Sequence, residues 1–214
     1  MKVDIWSDVR CPFCYIGKRK FESALAEFEH RGAVEVEWHS FELDPNMVTV
    51  LDKSSEEYLA ERYGKSREWA AESHQHVTET AAEVGLDFNL ERSVIANSFD
   101  AHRLIQLAKS KGLGDEMEEA LFKAHFTDGK NIDDRSSLIG IGTEAGLDVQ
   151  DMTAVLDSED FADEVRYDEK TAETIGIRGV PFFVLNEKLG VSGAQSPETF
   201  LAALTQAWNE ANPG

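Results

Sequence analysis

The segment Val3–Gly17 reads VDIWSDVRCPFCYIG, and it decides the fold of the chain. Its first residues alternate between apolar and polar side chains, which predicts a short strand ending near Trp6. Beyond this strand, apolar residues recur at helical spacing from Cys14 to Phe28, which predicts a helix that begins at the cysteine motif. The sequence Cys11-Pro12-Phe13-Cys14 is therefore expected where a strand passes into the N-terminus of a helix.

Working outward, three further segments have the pattern of strands. Val34–Trp38 alternates again and predicts a second strand, which is parallel to the first because a helix connects the two. Val180–Leu185 and Gly190–Gly193 flank a polar turn and predict an antiparallel hairpin. Ser196 followed by Pro197 predicts the start of a last helix.

The middle of the chain, from about residue 54 to residue 175, shows helical periodicity and no clear strand. Ser54 and Ser66 have the pattern of helix N-caps, the first with a capping box, and glycines separate several of the later segments. The helix that begins at Ser66 is predicted to reach Val84. Further helices are predicted over Ser93–Lys111, Asp115–Phe126, Arg135–Ala145, Val149–Leu156 and Phe161–Thr174.

This order of elements predicts an α/β fold with a large all-helical insertion. Residues 1–52 and 177–214 together provide the four strands of one mixed sheet with helices on both faces, although neither segment provides a stable sheet by itself. Residues 53–176 then form a helical insertion domain.

The two cysteines are predicted to form a redox pair. The N-terminus of a helix stabilises an anion, so a thiolate at Cys11 is favoured there, and residues 1–20 add a net charge of +3 from five basic and two acidic side chains. Pro12 is tolerated in the first helical turn. Cys14 is in phase with the buried helix face, so Cys11 is expected to be the exposed attacking thiol and Cys14 the shielded resolving thiol.

Other interpretations of the cysteine pair are a structural disulfide, a zinc site and two free core cysteines. A reducing cytoplasm disfavours the disulfide, and the chain has only two cysteines and no histidine at finger-like spacing, which disfavours zinc. No metal site is therefore predicted.

Composition limits the partners. The net charge of −20 excludes a nucleic-acid partner, because binding phosphates requires a basic surface. No apolar run approaches the ~20 residues of a membrane span, and no signal-peptide pattern precedes the first strand, so a cytoplasmic location is expected. The acidic composition is either an ordinary solvated surface or a halophilic adaptation to a high-salt cytoplasm. The oligomeric state has no signature in the sequence.

A second motif lies at Gly176–Val184, which reads GIRGVPFFV. A proline that follows a glycine bend at the start of a strand is a candidate for a cis peptide bond, which makes Pro181 a candidate site residue. The simpler interpretation is a strand-start proline whose missing N–H is not needed.

The two motifs and the insertion between them resemble the DsbA-like branch of the thioredoxin superfamily. More closely, four segments in the same order resemble FrnE-type proteins, which are relatives of 2-hydroxychromene-2-carboxylate isomerase and kappa-class glutathione transferase. These segments are Ser7–Lys18, Phe41–Pro45, Asn97–Arg103 and Gly193–Gln195.

The resemblance implies a thioredoxin-like fold in which a cis-Pro181 loop faces Cys11, with the backbone of Val180 offered to an extended peptide or to glutathione. It also implies that the helix bearing Asn97 and His102 lines the substrate groove, although these two residues also fit a helix cap and a core histidine.

The sequence departs from related proteins at two positions. Many superfamily members have a buried acid six residues before the first cysteine, where this chain has Ile5, so the proton acceptor for Cys14 is unassigned. The isomerase relatives typically have serine at the position of Cys11, so two retained thiols favour dithiol chemistry over isomerisation.

The expected function is that of a thiol–disulfide oxidoreductase, an enzyme of the protein disulfide oxidoreductase or isomerase type. Cys11, Cys14, Pro12, Phe13 and Pro181 are the expected catalytic residues, acting on protein, peptide or small-molecule disulfides. No cofactor is expected apart from glutathione as a co-substrate. The alternatives are a glutathione-dependent isomerase or transferase of the 2-hydroxychromene-2-carboxylate type, and a peptide-binding chaperone without redox turnover.

Overall fold

The computed structural model describes residues 1–213, which divide into two compact units. The first unit comprises residues 1–43 and the chain from residue 165 onward, and the second comprises residues 44–164. The divisions predicted from the sequence lie later, at 52/53 and at 176/177. The second division differs because the helix Ala162–Thr174 looks like another insertion helix in sequence, whereas most of it belongs to the first unit.

The strands of the first unit are β1 (Lys2–Ser7), β2 (Glu35–Ser40), β3 (Phe182–Leu185) and β4 (Leu189–Ser192). They form one sheet of order β2-β1-β3-β4. β1 pairs with β2 in parallel and with β3 in antiparallel orientation, and β3 and β4 form an antiparallel hairpin. The predicted strand–helix–strand unit, the hairpin and the α/β class are thus confirmed. The helices that pack on this sheet are α1 (Pro12–Glu27), α8 (Ala162–Thr174) and α9 (Pro197–Ala211).

The alternation of β1 places its apolar residues on one face of the sheet. Val3 and Ile5 are fully buried there, in a core to which α1 contributes Phe21 and α9 contributes Phe200. The rings of Phe21 and Phe200 meet edge to face with centroids 5.7 Å apart, a favoured geometry for aromatic pairs. This core fixes α1, and therefore the cysteine motif at its start, against the sheet.

The other face of the sheet holds α8 through a buried polar residue. Asp168 accepts a hydrogen bond from the backbone N–H of Ser40 at 2.9 Å, and its backbone carbonyl accepts one from the indole N–H of Trp6 at 3.0 Å. His39 bonds Asp168 at 2.8 Å and Asp4 at 2.8 Å through its two ring nitrogens. These bonds explain why α8 belongs to the sheet unit.

Residues 44–164 form an all-helical unit in which side-chain caps begin several helices. Ser54, Ser66, Asp134 and Asp148 each accept a hydrogen bond from a backbone N–H in the first turn, which satisfies a donor that has no partner within the helix. The helices are α2 (Ser55–Tyr63), α3 (Arg67–Ala82), α4 (Phe99–Ser110), α5 (Gly114–Phe126), α6 (Arg135–Glu144) and α7 (Val149–Leu156).

The predicted helix over Ser93–Lys111 is too long at its N-terminal end. Ile95 forms an isolated β-bridge with Val50, and Asn97 accepts a hydrogen bond from the N–H of Phe99 at 2.7 Å, so the helix begins only at Phe99. Within residues 1–213, no helix is both long enough and apolar enough to cross a membrane.

Candidate functional site

The sheet register brings the two sequence motifs to the same edge of the first unit. β1 runs antiparallel to β3, with Trp6 opposite Phe182, so the residues that follow β1 meet the residues that precede β3. The thiol of Cys11 accordingly donates a hydrogen bond to the carbonyl oxygen of Val180 at 3.6 Å. Motifs about 170 residues apart in sequence thus form one candidate site.

Cys11 is the residue from which α1 starts. It has extended backbone geometry at the N-cap position, Pro12 follows in the first turn, and the first turn contains no acidic residue. The backbone N–H of Cys14 donates to the carbonyl of Cys11 at 3.0 Å. The unpaired amides and the dipole of a helix N-terminus favour a negative charge here, which is the setting in which a cysteine thiolate forms.

Both cysteines are buried free thiols, with Cys11 5 % exposed and Cys14 1 % exposed. The expectation that Cys11 is exposed was therefore wrong, although Cys11 is the more accessible of the two. Sequence periodicity around α1 could not show this, because the carbonyl of Val180 that contacts Cys11 comes from the far end of the chain.

The thiol of Cys14 is held in its protonated form. Burial raises the pKa of Cys14 well above its ordinary value, and the hydrogen bond to Cys11 and a negative charge on Cys11 raise it further. A backbone hydrogen bond from Asp8 and one from the hydroxyl of Ser7 lower the pKa in part. The two sulfurs are therefore hydrogen-bonding neighbours, and Cys14 remains neutral while it is shielded.

The loop before Cys11 is held in place by Asp8, which is fully buried. Its carboxylate accepts hydrogen bonds from the backbone N–H groups of Arg10 at 3.0 Å and Leu43 at 2.8 Å. The position of the usual acid holds Ile5, which lies in the apolar core. The polar groups beside Cys14 are Ser7 and Asp8 instead, and sequence reasoning did not identify either of them.

The Val180–Pro181 peptide bond is cis, as predicted. The pyrrolidine ring of Pro181 packs on Gly17 of α1 so closely that a Cβ at Gly17 would lie 3.0 Å from Pro181 Cγ. The same added atom would lie 3.5 Å from Cβ of Ala194. Gly17 is therefore what allows α1, the Pro181 loop and the segment after β4 to meet at one point.

The basic residues of the first helix are mostly engaged by other groups. Lys18 is buried, is paired with Glu22, and has its ammonium 6.0 Å from the ring centre of Trp38. Arg19 bonds Glu22 at 2.8 Å, and Lys20 donates to the carbonyl of Ala194 at 3.3 Å. The local positive charge predicted to favour a Cys11 thiolate is thus partly neutralised, which leaves the helix N-terminus as the principal stabilising feature.

Phe13 is 41 % exposed between the two cysteines. Its ring is accessible to solvent, and its role as a site residue stays a prediction.

Asn97 and His102 belong to the second unit. The side-chain N–H of Asn97 donates to the carbonyl of Met47 at 2.9 Å while its oxygen caps the N–H of Phe99 at the start of α4. His102 is 1 % exposed within α4. Both residues thus have structural positions of the kind considered as alternatives, and their contribution to a substrate groove stays a prediction.

The only three potential metal ligands that converge within residues 1–213 are Asp4, Glu37 and His39. The ammonium of Lys2 lies 2.8 Å from Asp4 and 2.6 Å from Glu37, and His39 uses both ring nitrogens on carboxylates. The side chains therefore satisfy one another, and the cysteines are not part of this cluster.

Comparison with known proteins gives consistent matches over nearly the whole chain. The family model described as a DSBA-like thioredoxin domain matches residues 2–205. The structure is similar to that of a probable DsbA oxidoreductase from Streptomyces coelicolor, with 42 % sequence identity and a TM-score of 0.95, covering 100 % of this chain and 92 % of that one.

Two more distant structures share the fold. A cytosolic disulfide reductase, DsbM from Pseudomonas aeruginosa, solved with GSH, is 18 % identical with a TM-score of 0.68, covering 98 % of this chain and 100 % of that one. A 2-hydroxychromene-2-carboxylate isomerase is 14 % identical with a TM-score of 0.72, covering 99 % of this chain and 98 % of that one.

Proposed function

We propose that this chain, which belongs to the family of DSBA-like thioredoxin domains, catalyses thiol–disulfide exchange through Cys11 and Cys14. The family membership and the sheet with its helical insertion confirm the predicted thioredoxin-like fold. The observation that supports the proposed chemistry is the contact of the Cys11 thiol, at the start of α1, with the carbonyl of Val180 at 3.6 Å. That contact supports the proposal, because the backbone of Val180 beside the Cys11 sulfur is a group with which an extended substrate would pair.

In the first step, the thiolate of Cys11 attacks one sulfur of the substrate disulfide. The substrate S–S bond breaks, a mixed disulfide with Cys11 forms, and the departing thiolate takes a proton from solvent. The backbone of Val180 is available to pair with the segment that holds the substrate sulfur.

In the second step, Cys14 loses its proton and attacks the sulfur of Cys11. The mixed disulfide breaks, the second substrate thiolate leaves and is protonated, and a Cys11–Cys14 disulfide remains. The substrate has gained two electrons and two protons, and the cysteine pair has lost them. Because the pKa of Cys14 is raised mainly by burial, the attack requires Cys14 to release its proton to solvent within the mixed disulfide. The Ser7 hydroxyl supports this step, because its hydrogen bond to Cys14 lowers the pKa of that thiol.

The reduced pair is restored by a thiol reductant of the glutathione class, which runs the same two steps in reverse. The GSH-bound disulfide reductase of similar fold is described as cytosolic, which supports glutathione as co-substrate and a cytoplasmic setting for this chain. Neither role requires a metal or an organic cofactor.

The test is reduction of insulin disulfides, with the reduced insulin chains quantified by chromatography for the wild type, Cys11→Ser and Cys14→Ser. Loss of Cys11 is expected to abolish turnover, because the one remaining thiol, Cys14, is 1 % exposed and burial raises its pKa. Loss of Cys14 is expected to stop multiple turnover and to trap a mixed disulfide on Cys11, detectable as an added mass.

Three outcomes would contradict the proposal. Turnover that survives the loss of Cys11 would remove the dithiol mechanism. Turnover of a small electrophile that survives Cys14→Ser, together with no insulin reduction by the wild type, would favour the glutathione-dependent isomerase or transferase. Equal suppression of insulin aggregation by the wild type and the double serine variant, without reduction, would favour the peptide-binding chaperone.

A further inference from the structure

The site continues into a concavity of about 420 Å³ in the first unit, on the side of Val180 and Pro181. Its lining is made of glycines and uncharged residues, apart from one ionisable side chain, that of Arg178. We propose that Arg178 binds a carboxylate lying one or two residues from the reacting sulfur, so that the protein selects acidic disulfides. This inference rests on the proposed exchange chemistry and specifies its substrates.

The backbone around Arg178 is fixed while its side chain is exposed. Ile177 is 4 % exposed and packs with Trp6 and Ala172 on the α8 face of the sheet. Gly176 and Gly179 flank this pair, and a Cβ at either glycine would meet no heavy atom within 4 Å. Arg178 itself is exposed and belongs to the lining of the concavity, so a ligand in the concavity can reach its side chain.

The side chain of Arg178 has no partner among residues 1–213. The structure gives its side chain no hydrogen bond or ion pair with any of residues 1–213. By contrast, Arg166 of the same unit bonds Glu169 at 2.7 Å and also bonds Glu42. In a chain with 41 acidic and 21 basic residues, a guanidinium left without a carboxylate is available to one that a ligand brings.

The chemistry of the guanidinium group fits a carboxylate well. A guanidinium presents parallel N–H donors that match the two oxygens of a carboxylate, and such charge-assisted pairs are stronger than neutral hydrogen bonds. The net charge of −20 repels acidic substrates as a whole, so a cation inside the concavity is needed to bring them to the thiols.

The separation between Arg178 and the Cys11 sulfur determines which carboxylate of a substrate Arg178 can reach. A substrate sulfur bonded to Cys11 lies beside Val180, whose carbonyl is 3.6 Å from the Cys11 sulfur. Arg178 precedes Val180 by two residues, so the two backbone positions lie at most about 7 Å apart. A carboxylate one or two residues from the substrate cysteine falls in this interval, as it does in glutathione and in peptides with glutamate next to cysteine.

The experiment compares two fluorogenic peptide disulfides that are identical except for glutamate or glutamine on both sides of each cysteine. The wild type is expected to reduce the glutamate peptide with a kcat/KM about threefold to tenfold higher, the range for a charge-assisted bond at a partly exposed site. In R178Q this preference is expected to vanish, in R178E to reverse, and in R178K to persist in part. Added NaCl at 0.5 M is expected to weaken the wild-type preference, because salt screens exposed charges.

The matched control is K188Q, which removes one positive charge at the other end of the β3–β4 hairpin, where Lys188 is exposed. It is expected to keep the wild-type ratio, so that a general effect of net charge is separated from binding at Arg178. Glutathione disulfide is the third probe. If R178Q lowers kcat/KM for this probe alone, glutathione is the source of the carboxylate. If R178Q lowers kcat/KM for the glutamate peptide, the source is an acidic peptide.

If R178Q has the same kcat/KM as the wild type for each of the three probes, the inference is overturned while the exchange chemistry stands. A ratio that falls as much in K188Q as in R178Q would overturn it as well. Failure of the proposed function is distinguished by the serine variants of Cys11 and Cys14, which do not depend on the charge of the probe.

Discussion

Replacing Gly17 by alanine tests the packing that joins the two motifs. Alanine is favoured over glycine inside a helix by about 1 kcal/mol, so α1 taken alone would be stabilised. The new Cβ, however, would lie 3.0 Å from Cγ of Pro181 and 3.5 Å from Cβ of Ala194. Overpacking of this kind costs about 1–3 kcal/mol, so the free energy of unfolding is expected to change by between about 0 and −2 kcal/mol.

Gly140 provides the matched control, because it lies within α6 and a Cβ added there would meet no heavy atom within 4 Å. Gly140→Ala is expected to keep the full helix-propensity gain and to raise the Tm by about 2–4 °C. The difference between the two variants, about 1–3 kcal/mol, then isolates the contact of Gly17 with Pro181. Calorimetry on both reduced proteins measures it.

The same substitution is expected to reduce activity. To relieve the contact, Pro181 must move by a few tenths of an ångström, and it would take the carbonyl of Val180 away from Cys11. Because misplacement by about 1 Å costs on the order of 100-fold in rate, kcat/KM for insulin reduction is expected to fall about tenfold in Gly17→Ala. Equal Tm gains for the two alanine variants, with wild-type kcat/KM in both, would refute this account of Gly17.

Two more predictions concern the resolving thiol. Since burial raises the pKa of Cys14, the folded protein keeps this proton at a pH where the unfolded chain, with an ordinary pKa of about 8.5, loses it. The reduced protein is therefore expected to lose stability as the pH rises above about 8.5, and a Tm series from pH 7 to pH 10 should show a smaller loss in Cys14→Ala. Ser7→Ala removes the hydroxyl that hydrogen-bonds Cys14 and is expected to slow the second exchange step about tenfold, seen by mass spectrometry as accumulated mixed disulfide. Ser7→Thr keeps the hydroxyl, and an equal effect of both variants would contradict the role of that group.

The sheet could be predicted from sequence because its signals are local. Alternation in Val3–Trp6 and Val34–Trp38, and a polar turn between two apolar runs near residue 187, each depend on neighbours along the chain. The start of α4 could not be predicted in this way. The polar and apolar residues of 93–98 fit a helix, but their β-bridge to Val50 and the cap by Asn97 are tertiary features.

In the candidate site, too, local motifs could be predicted from the sequence and tertiary contacts could not. Cys11, Cys14 and Pro181 were identified because the motifs are short and lie at element boundaries. The burial of Cys11 by Val180, the place of Ser7 beside Cys14 and the packing of Pro181 on Gly17 all involve contacts with other elements. Sequence spacing carries no information about such contacts, although a glycine one turn after a redox motif is a signal that could have suggested a close approach.

The loop before β3 holds the residue that contacts the attacking thiol, Val180, and the residue proposed to select the substrate, Arg178, at separate positions. The carbonyl of Val180 contacts Cys11 and depends on the register of β1 with β3, so any change there alters the position of the attacking sulfur. Arg178 lies outside the strand, and its exposed side chain makes no hydrogen bond or ion pair with the part of the chain that the structure describes. A substitution at this position can therefore change which disulfides are accepted without moving the thiols. For this reason we expect the charge at Arg178, and not the Pro12-Phe13 pair between the cysteines, to set the substrate preference.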